Sequence, residues 1–299
     1  MLRAFAVLLV MVSHLLMYTG HSLYSGWMGL TGVCLFFVHT CLVLMWSLER
    51  DPHSGRFYIR RAFRLFPLWL VVLFGVLITH LPISPPAAPA FLFHRPSLGE
   101  LLANITLTFN LKYGARIVGA SWSLPIEAQM YLLLPLLYFF VKNTRALWVL
   151  LVIDALAIVS VWVVTKPDAD ASLAICIPYF LPGVMAFALS KKVAPRLPAW
   201  SFPVFLLLLA AVHRRYGTLF VSSLFCLVIG LALPFFQQLT WKPLVRTAHE
   251  ISRYPLGSIF AISRPSVWGS TTCAAIASGC DFWPCSPRSP CFPSRSITW

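Results

Sequence analysis

The sequence predicts an all-α protein, a polytopic bundle of transmembrane helices, and three observations predict it. Hydrophobic residues make up 59% of the chain and charged residues only 11%, under half the charged share of an ordinary soluble domain. Mean hydropathy is +0.80. Apolar runs long enough to cross a bilayer recur along most of the 299 residues, separated mainly by short polar segments.

The runs place nine spans at about 2–20, 27–47, 65–83, 123–141, 146–164, 172–190, 199–213, 218–236 and 247–262. Ser13 and His14 interrupt the first run and no small-residue cleavage site follows, so it is expected to stay as a helix. Two connecting segments are long. Residues 48–64 are basic, with Arg50, Arg56, Arg60, Arg61 and Arg64, whereas 82–122 is proline-rich and then polar and aromatic.

A net charge of +14 invites a nucleic-acid reading, but the basic residues sit in loops between apolar runs, which argues against it. With the amino terminus in the cytoplasm, thirteen Lys and Arg residues fall on the cytoplasmic side and six on the other. That asymmetry favours this orientation, although Arg214 and Arg215 on the outer side run against it. Cys34, Cys41, Cys176 and Cys226 lie in apolar runs, where a thiol acts as a small hydrophobe. Cys273, Cys280, Cys285 and Cys291 fall in the last 27 residues without paired CxxC spacing, so no metal site is expected.

Within the first run, RAFAVLLVMVSH, Arg3 and His14 are eleven helical steps apart. They therefore point within roughly 20° of each other, about 16 Å apart along the axis. Ionisable groups in a span usually face a cavity or a partner, and histidine is suited to accept a proton near neutral pH. Arg61 and Arg64 share a helix face, and Arg60 adds a third charge suited to gripping phosphate. Topology and anionic lipids are the competing explanation for these arginines.

Glu127 lies one turn into the fourth run, with Ser123 and Tyr131 one turn either side. It needs a partner, for which Arg3, His14 or a loop arginine qualifies; helix packing is the competing role. Trp122 reads as an interfacial anchor. Gly26, Gly29 and Gly32 read as a helix-packing face, and His39 on the same run reads as a core histidine.

In order along residues 1–260, these segments resemble the acyltransferase 3 family, multi-span membrane O-acyltransferases that modify surface polysaccharides and related acceptors. The matching pieces are Arg3-x10-His14, GVCLFF at 32–37, Arg61-x-x-Arg64 followed by FP, and WSLPIEAQMYLLLP at 122–135. LPGVMAFAL at 181–189 and KPLVRTAHEISRYPLG at 242–257 match more weakly. Two departures stand out: Thr40–Cys41 replaces the family's Ser-Gly, and the late segment RYPLGSIFAIS lacks the family's histidine and following span.

The resemblance implies about ten spans, no bound cofactor, and acyl-CoA, acetyl-CoA in particular, as co-substrate from the cytoplasmic side. It implies transfer to a hydroxyl of a glycan or lipid-linked envelope acceptor, in a multi-pass protein of the bacterial inner membrane. His14, Arg3 and Glu127 are then the catalytic candidates, with Arg61, Arg64 and Arg60 as donor-binding residues. The competing readings are a transporter or flippase-like carrier whose path these residues line, and an inactive remnant of the enzyme. The expected organisation is a membrane-embedded domain at 1–262 and a Cys-, Pro- and Ser-rich tail at 263–299. That tail reads as disordered or as the product of a frameshift.

Overall fold

A computed structural model describes residues 2–18, 22–79, 96–111, 116–118, 121–141, 146–164, 173–216, 218–238, 243 and 246–247. The described residues form α-helices and no strands beyond an isolated bridge between Leu197 and Phe236. In chain order the helices are α1 (Leu2–Tyr18), α2 (Ser22–Arg50), α3 (Ser54–Thr79), α4 (Leu98–Ile105), α5 (Leu124–Val141), α6 (Ala146–Val164), α7 (Leu173–Ser190), α8 (Ser201–Tyr216) and α9 (Leu219–Ala232). A short 3-10 turn, Leu233–Phe235, follows α9.

Among the described residues, four stretches are long and apolar enough to cross a membrane: Gly26–Arg50, Ser54–Thr79, Leu124–Val141 and Leu173–Ser190. Leu2–Leu16, Leu147–Val163 and Leu219–Phe235 are shorter apolar helices. The protein is thus an all-α membrane protein, with exposed apolar side chains such as Val71, Ile78, Trp148, Leu156 and Trp162 turned outward. Apart from Thr247, the expected span at 247–262 lies outside the described residues, as does the tail at 263–299.

Two features differ from expectation. Helix α3 begins at Ser54, so the basic segment 56–64 is part of the helix that continues into the third apolar run. No glycine or proline interrupts the chain between Arg56 and Phe66, which lets one helix carry both. Within the segment read as a loop, α4 forms where Ser97 accepts from the Glu100 backbone N–H and Glu100 returns a bond to the Ser97 N–H. This capping box satisfies the first free amides of the helix.

The centre of the bundle is α7, which packs against α2, α5, α6 and α9. Every residue from Pro178 to Ala188 is buried, as expected for a helix surrounded on all sides. Its contact with α2 is close at Gly183, where an added Cβ would meet the Val38 carbonyl oxygen and, at 2.7 Å, the Cys41 Cβ. Phe37 and Phe180 stack alongside, 4.1 Å between centroids. Gly29 and Gly32 of α2 admit α1: a Cβ there would lie 2.7 Å from Ser13 Oγ and from Val10 Cγ2 respectively. Gly26 has open space around it, so only two of the three glycines serve packing. Cys41, in the family's usual glycine position, is fully buried against Gly183.

Candidate active site

Three helices bring charged groups near one another within the bundle, and a fourth lines them. From α1 comes Arg3, half-buried, its guanidinium carbon 5.9 Å from the centre of the Phe36 ring. From α3 come Arg61, over the Phe57 ring at 5.8 Å, and Arg64 on the more exposed side of the next turn. From α5 come Glu127 and Tyr131, both buried, with the Tyr131 hydroxyl donating to Glu127 Oε1. Arg3, Arg61, Arg64, Glu127 and Tyr131 act on one another electrostatically. From α2, Phe36 supplies the ring under Arg3, and Cys41 lies within the field of Glu127.

Local folding explains the convergence. The Tyr58 hydroxyl donates to the Leu132 carbonyl at 3.1 Å and docks α3 on α5 where their polar faces meet. Trp69 donates from Nε1 to the Asn104 carbonyl at 2.8 Å, tying α3 to the end of α4. Asn104 Nδ2 donates to Glu100 O, and its Oδ1 accepts from the Ile117 amide, which holds the approach to α5. Asn110 and Gln129 exchange amide hydrogen bonds of 3.3 and 2.8 Å across the same junction.

Three guanidinium groups, the more exposed one of Arg64 among them, therefore act electrostatically on one carboxylate. The Nε atoms of Arg3 and Arg61 are buried and have no hydrogen-bond partner among the described residues. Buried cations in excess of their counter-charge are costly, and unused donors add to that cost. The arrangement suits an anion that would accept those donors and balance the charge.

Of the residues singled out from sequence, Arg3, Arg61, Arg64 and Glu127 come together. Arg60 does not join them. Its Nη1 donates to Asp51 Oδ2 at 2.8 Å, in the turn between α2 and α3. His14 stands apart, three turns along α1, half-buried and with no hydrogen-bond partner among the described residues. The continuous helix from Leu2 to Tyr18 keeps the spacing of about 16 Å from Arg3.

Sequence reasoning underrated three residues. Tyr131 was legible only as a neighbour of Glu127, although its i+4 position was the signal for a hydrogen bond. His39 is one turn from Phe36 on α2 and within the field of Arg3, a like charge rather than a partner. His213, fully buried, bridges Thr31 Oγ1 at 2.6 Å and Ser222 Oγ at 2.7 Å and so ties α8 to α2 and α9. Beside it, Arg214 stacks on Trp27 at 5.7 Å and Arg215 on Tyr216 at 5.5 Å, giving both arginines aromatic partners.

An apolar helical bundle in which three helices bring arginines and a carboxylate near one another defines a membrane protein with a charged cluster among its helices. The chain belongs to the acyltransferase 3 family: a family model described as an acyltransferase domain matches residues 1–262. It is an acyltransferase, transferring groups other than amino-acyl groups. No curated protein and no solved structure matches the chain.

Proposed function

We propose that the protein transfers an acyl group, acetyl in particular, from acyl-CoA at the cytoplasmic side to a hydroxyl of a carbohydrate or lipid-linked envelope acceptor. The observation that carries this reading is the cluster in which Arg3, Arg61 and Arg64 act on a single carboxylate, Glu127. A phosphate-bearing donor supplies the negative charge that this pocket is short of. The family membership supports acyl transfer as the chemistry. In this reading the chain lies in the bacterial inner membrane with its amino terminus in the cytoplasm.

Arg61 and Arg64 grip donor phosphate, and Arg3 completes the cationic wall. Glu127, held by Tyr131, keeps the three guanidiniums at fixed positions and limits their repulsion. The thin pantetheine arm then runs along α1 from Arg3 toward His14, three turns away. There His14 withdraws the acceptor's hydroxyl proton as the oxygen attacks the thioester carbonyl. The carbon–oxygen bond forms, the carbon–sulfur bond breaks, and the CoA thiolate leaves.

The deciding experiment is acyl transfer from radiolabelled acetyl-CoA by membranes that contain the protein, followed by mass spectrometry of the envelope glycans. Label on a glycan hydroxyl, lost in His14→Ala, is the expected result. Substrate movement across the membrane without transfer would replace the enzyme reading with a carrier.

A further inference from the structure

Arg60 and Arg56 form a second cationic cluster, on a face of α3 adjoining that of Arg61 and Arg64. They are four residues apart on α3 and so share a face. Between them sits Asp51, whose carboxylate accepts from Arg60 Nη1 at 2.8 Å and pairs with Arg56 Nη2 at 3.4 Å. His53 Nδ1 lies 3.1 Å from the same carboxylate, and the His53 backbone N–H reaches it at 3.5 Å. We propose that this cluster is a phosphate site at the cytoplasmic mouth, held in the free protein by the Asp51 carboxylate and taken over by a phosphate group of the donor. The inference rests on the acyl-CoA reading above.

Three observations support an exchangeable carboxylate. Two guanidiniums meeting on one planar acceptor present the donors that a phosphate group would use. The ion pairs are exposed, with Arg56 60% and Arg60 42% accessible, and exposed pairs are held weakly against competing anions. One carboxylate also leaves the two arginines with an uncompensated positive charge.

Position supplies the ligand class. Arg60 is adjacent to Arg61 and one turn before Arg64, so the mouth cluster and the buried pocket lie on adjoining faces of one helix. A ligand with two separated phosphate groups can engage both. Coenzyme A has that form, a diphosphate and a 3′-phosphate on one nucleotide. An anionic lipid headgroup offers the same phosphate chemistry from the bilayer surface, and the test separates the two sources.

The experiment measures equilibrium binding of CoA and of dephospho-CoA, which lacks the 3′-phosphate. It uses the full chain in phosphatidylcholine nanodiscs, as wild type, Asp51→Asn, Asp51→Glu and Asp51→Asn/Arg60→Gln. Expected is a gain in CoA affinity of about fivefold or more for Asp51→Asn, of the size typical for one freed charge-assisted contact. Asp51→Glu should stay near wild type, and the gain should vanish in the double variant and with dephospho-CoA. An unchanged CoA affinity in Asp51→Asn overturns the site, as does an equal gain with dephospho-CoA. If Asp51→Asn instead retains more phosphatidylglycerol by native mass spectrometry without binding CoA more tightly, the occupant is lipid and the proposal fails. Wild type without measurable CoA binding would remove the acyl-CoA reading as well, whereas binding unaffected by Asp51→Asn removes only this site.

Discussion

Tyr131 donates its phenolic hydrogen to the Glu127 carboxylate one helical turn away, and that pair is the only carboxylate–phenol contact within the field of Arg3, Arg61 and Arg64 among the described residues. The carboxylate is thus fixed on one side by its own helix while three guanidiniums from two other helices converge on it. Removing its charge takes the counter-charge from half-buried Arg3 and Arg61 and from the more exposed Arg64.

Glu127→Gln is accordingly expected to destabilise the detergent-solubilised protein more than Tyr131→Phe, because it removes the counter-charge in the field of three guanidiniums as well as altering the hydrogen bond. Tyr131→Phe, which removes one hydrogen bond and keeps the charge, should cost about 1–3 kcal/mol. Thermal unfolding followed by tryptophan fluorescence measures both. Equal melting temperatures for the two variants would contradict the ranking.

Arg61→Ala and Arg64→Ala should each raise the acyl-CoA concentration needed for half-maximal transfer by roughly tenfold or more, given about 1.5–3 kcal/mol for a hydrogen bond to a charged group. Initial rates across a donor series test this. An unchanged donor requirement would return both arginines to a topological role.

His14→Ala should abolish transfer while membrane insertion and donor binding persist, because His14 sits about three turns from the arginine pocket. Flotation of the variant with membranes and retained CoA binding are the controls. Wild-type transfer by the variant would remove His14 from the mechanism.

Gly183→Ala places a methyl group against the Val38 carbonyl and the Cys41 side chain at the α2–α7 contact. Backbone on one side cannot yield cheaply, so a loss of about 1–3 kcal/mol is expected. Gly75→Ala, with nothing within 4 Å of its added Cβ, should be close to neutral by the same melting assay.

The hydrogen bond from Arg60 holds the Asp51 carboxyl below the usual carboxylate range. The sign follows: the clasp is fully formed above the unfolded value of about 4 and is lost only as pH falls through the lower folded value. The ratio of CoA affinities between Asp51→Asn and wild type should therefore stay constant from about pH 7.5 to 8.5, above the second ionisation of a phosphate monoester at about 6. A ratio falling toward unity within that range would contradict the ionised clasp.

Much of the fold was legible because its signals are local. Apolar runs announce helices, Gly29 and Gly32 announce close packing, and the Ser97–Glu100 spacing announces the start of α4 to a reader who looks for it inside a loop. The helical register of Arg3 and His14 needed only α1 to be continuous, and it is. By contrast, the separation of Arg60 from Arg61 was hidden. Neighbours in sequence are 100° apart on a helix, so one faces Asp51 and the other Glu127.

The amino-acid sequence by itself determined that this is an all-α membrane protein and which side chains are chemically costly within it, because hydropathy and charge act residue by residue. Only the tertiary structure decided that Arg3, Arg61, Arg64 and Glu127 meet while Arg60 and His14 do not. Helices α1, α3 and α5 are brought together through packing on α2 and through the Tyr58–Leu132 bond, contacts between residues far apart in the chain. No single helix carries enough of the pocket to reveal it, since an excess of buried charge exists only once the helices that contribute it are side by side.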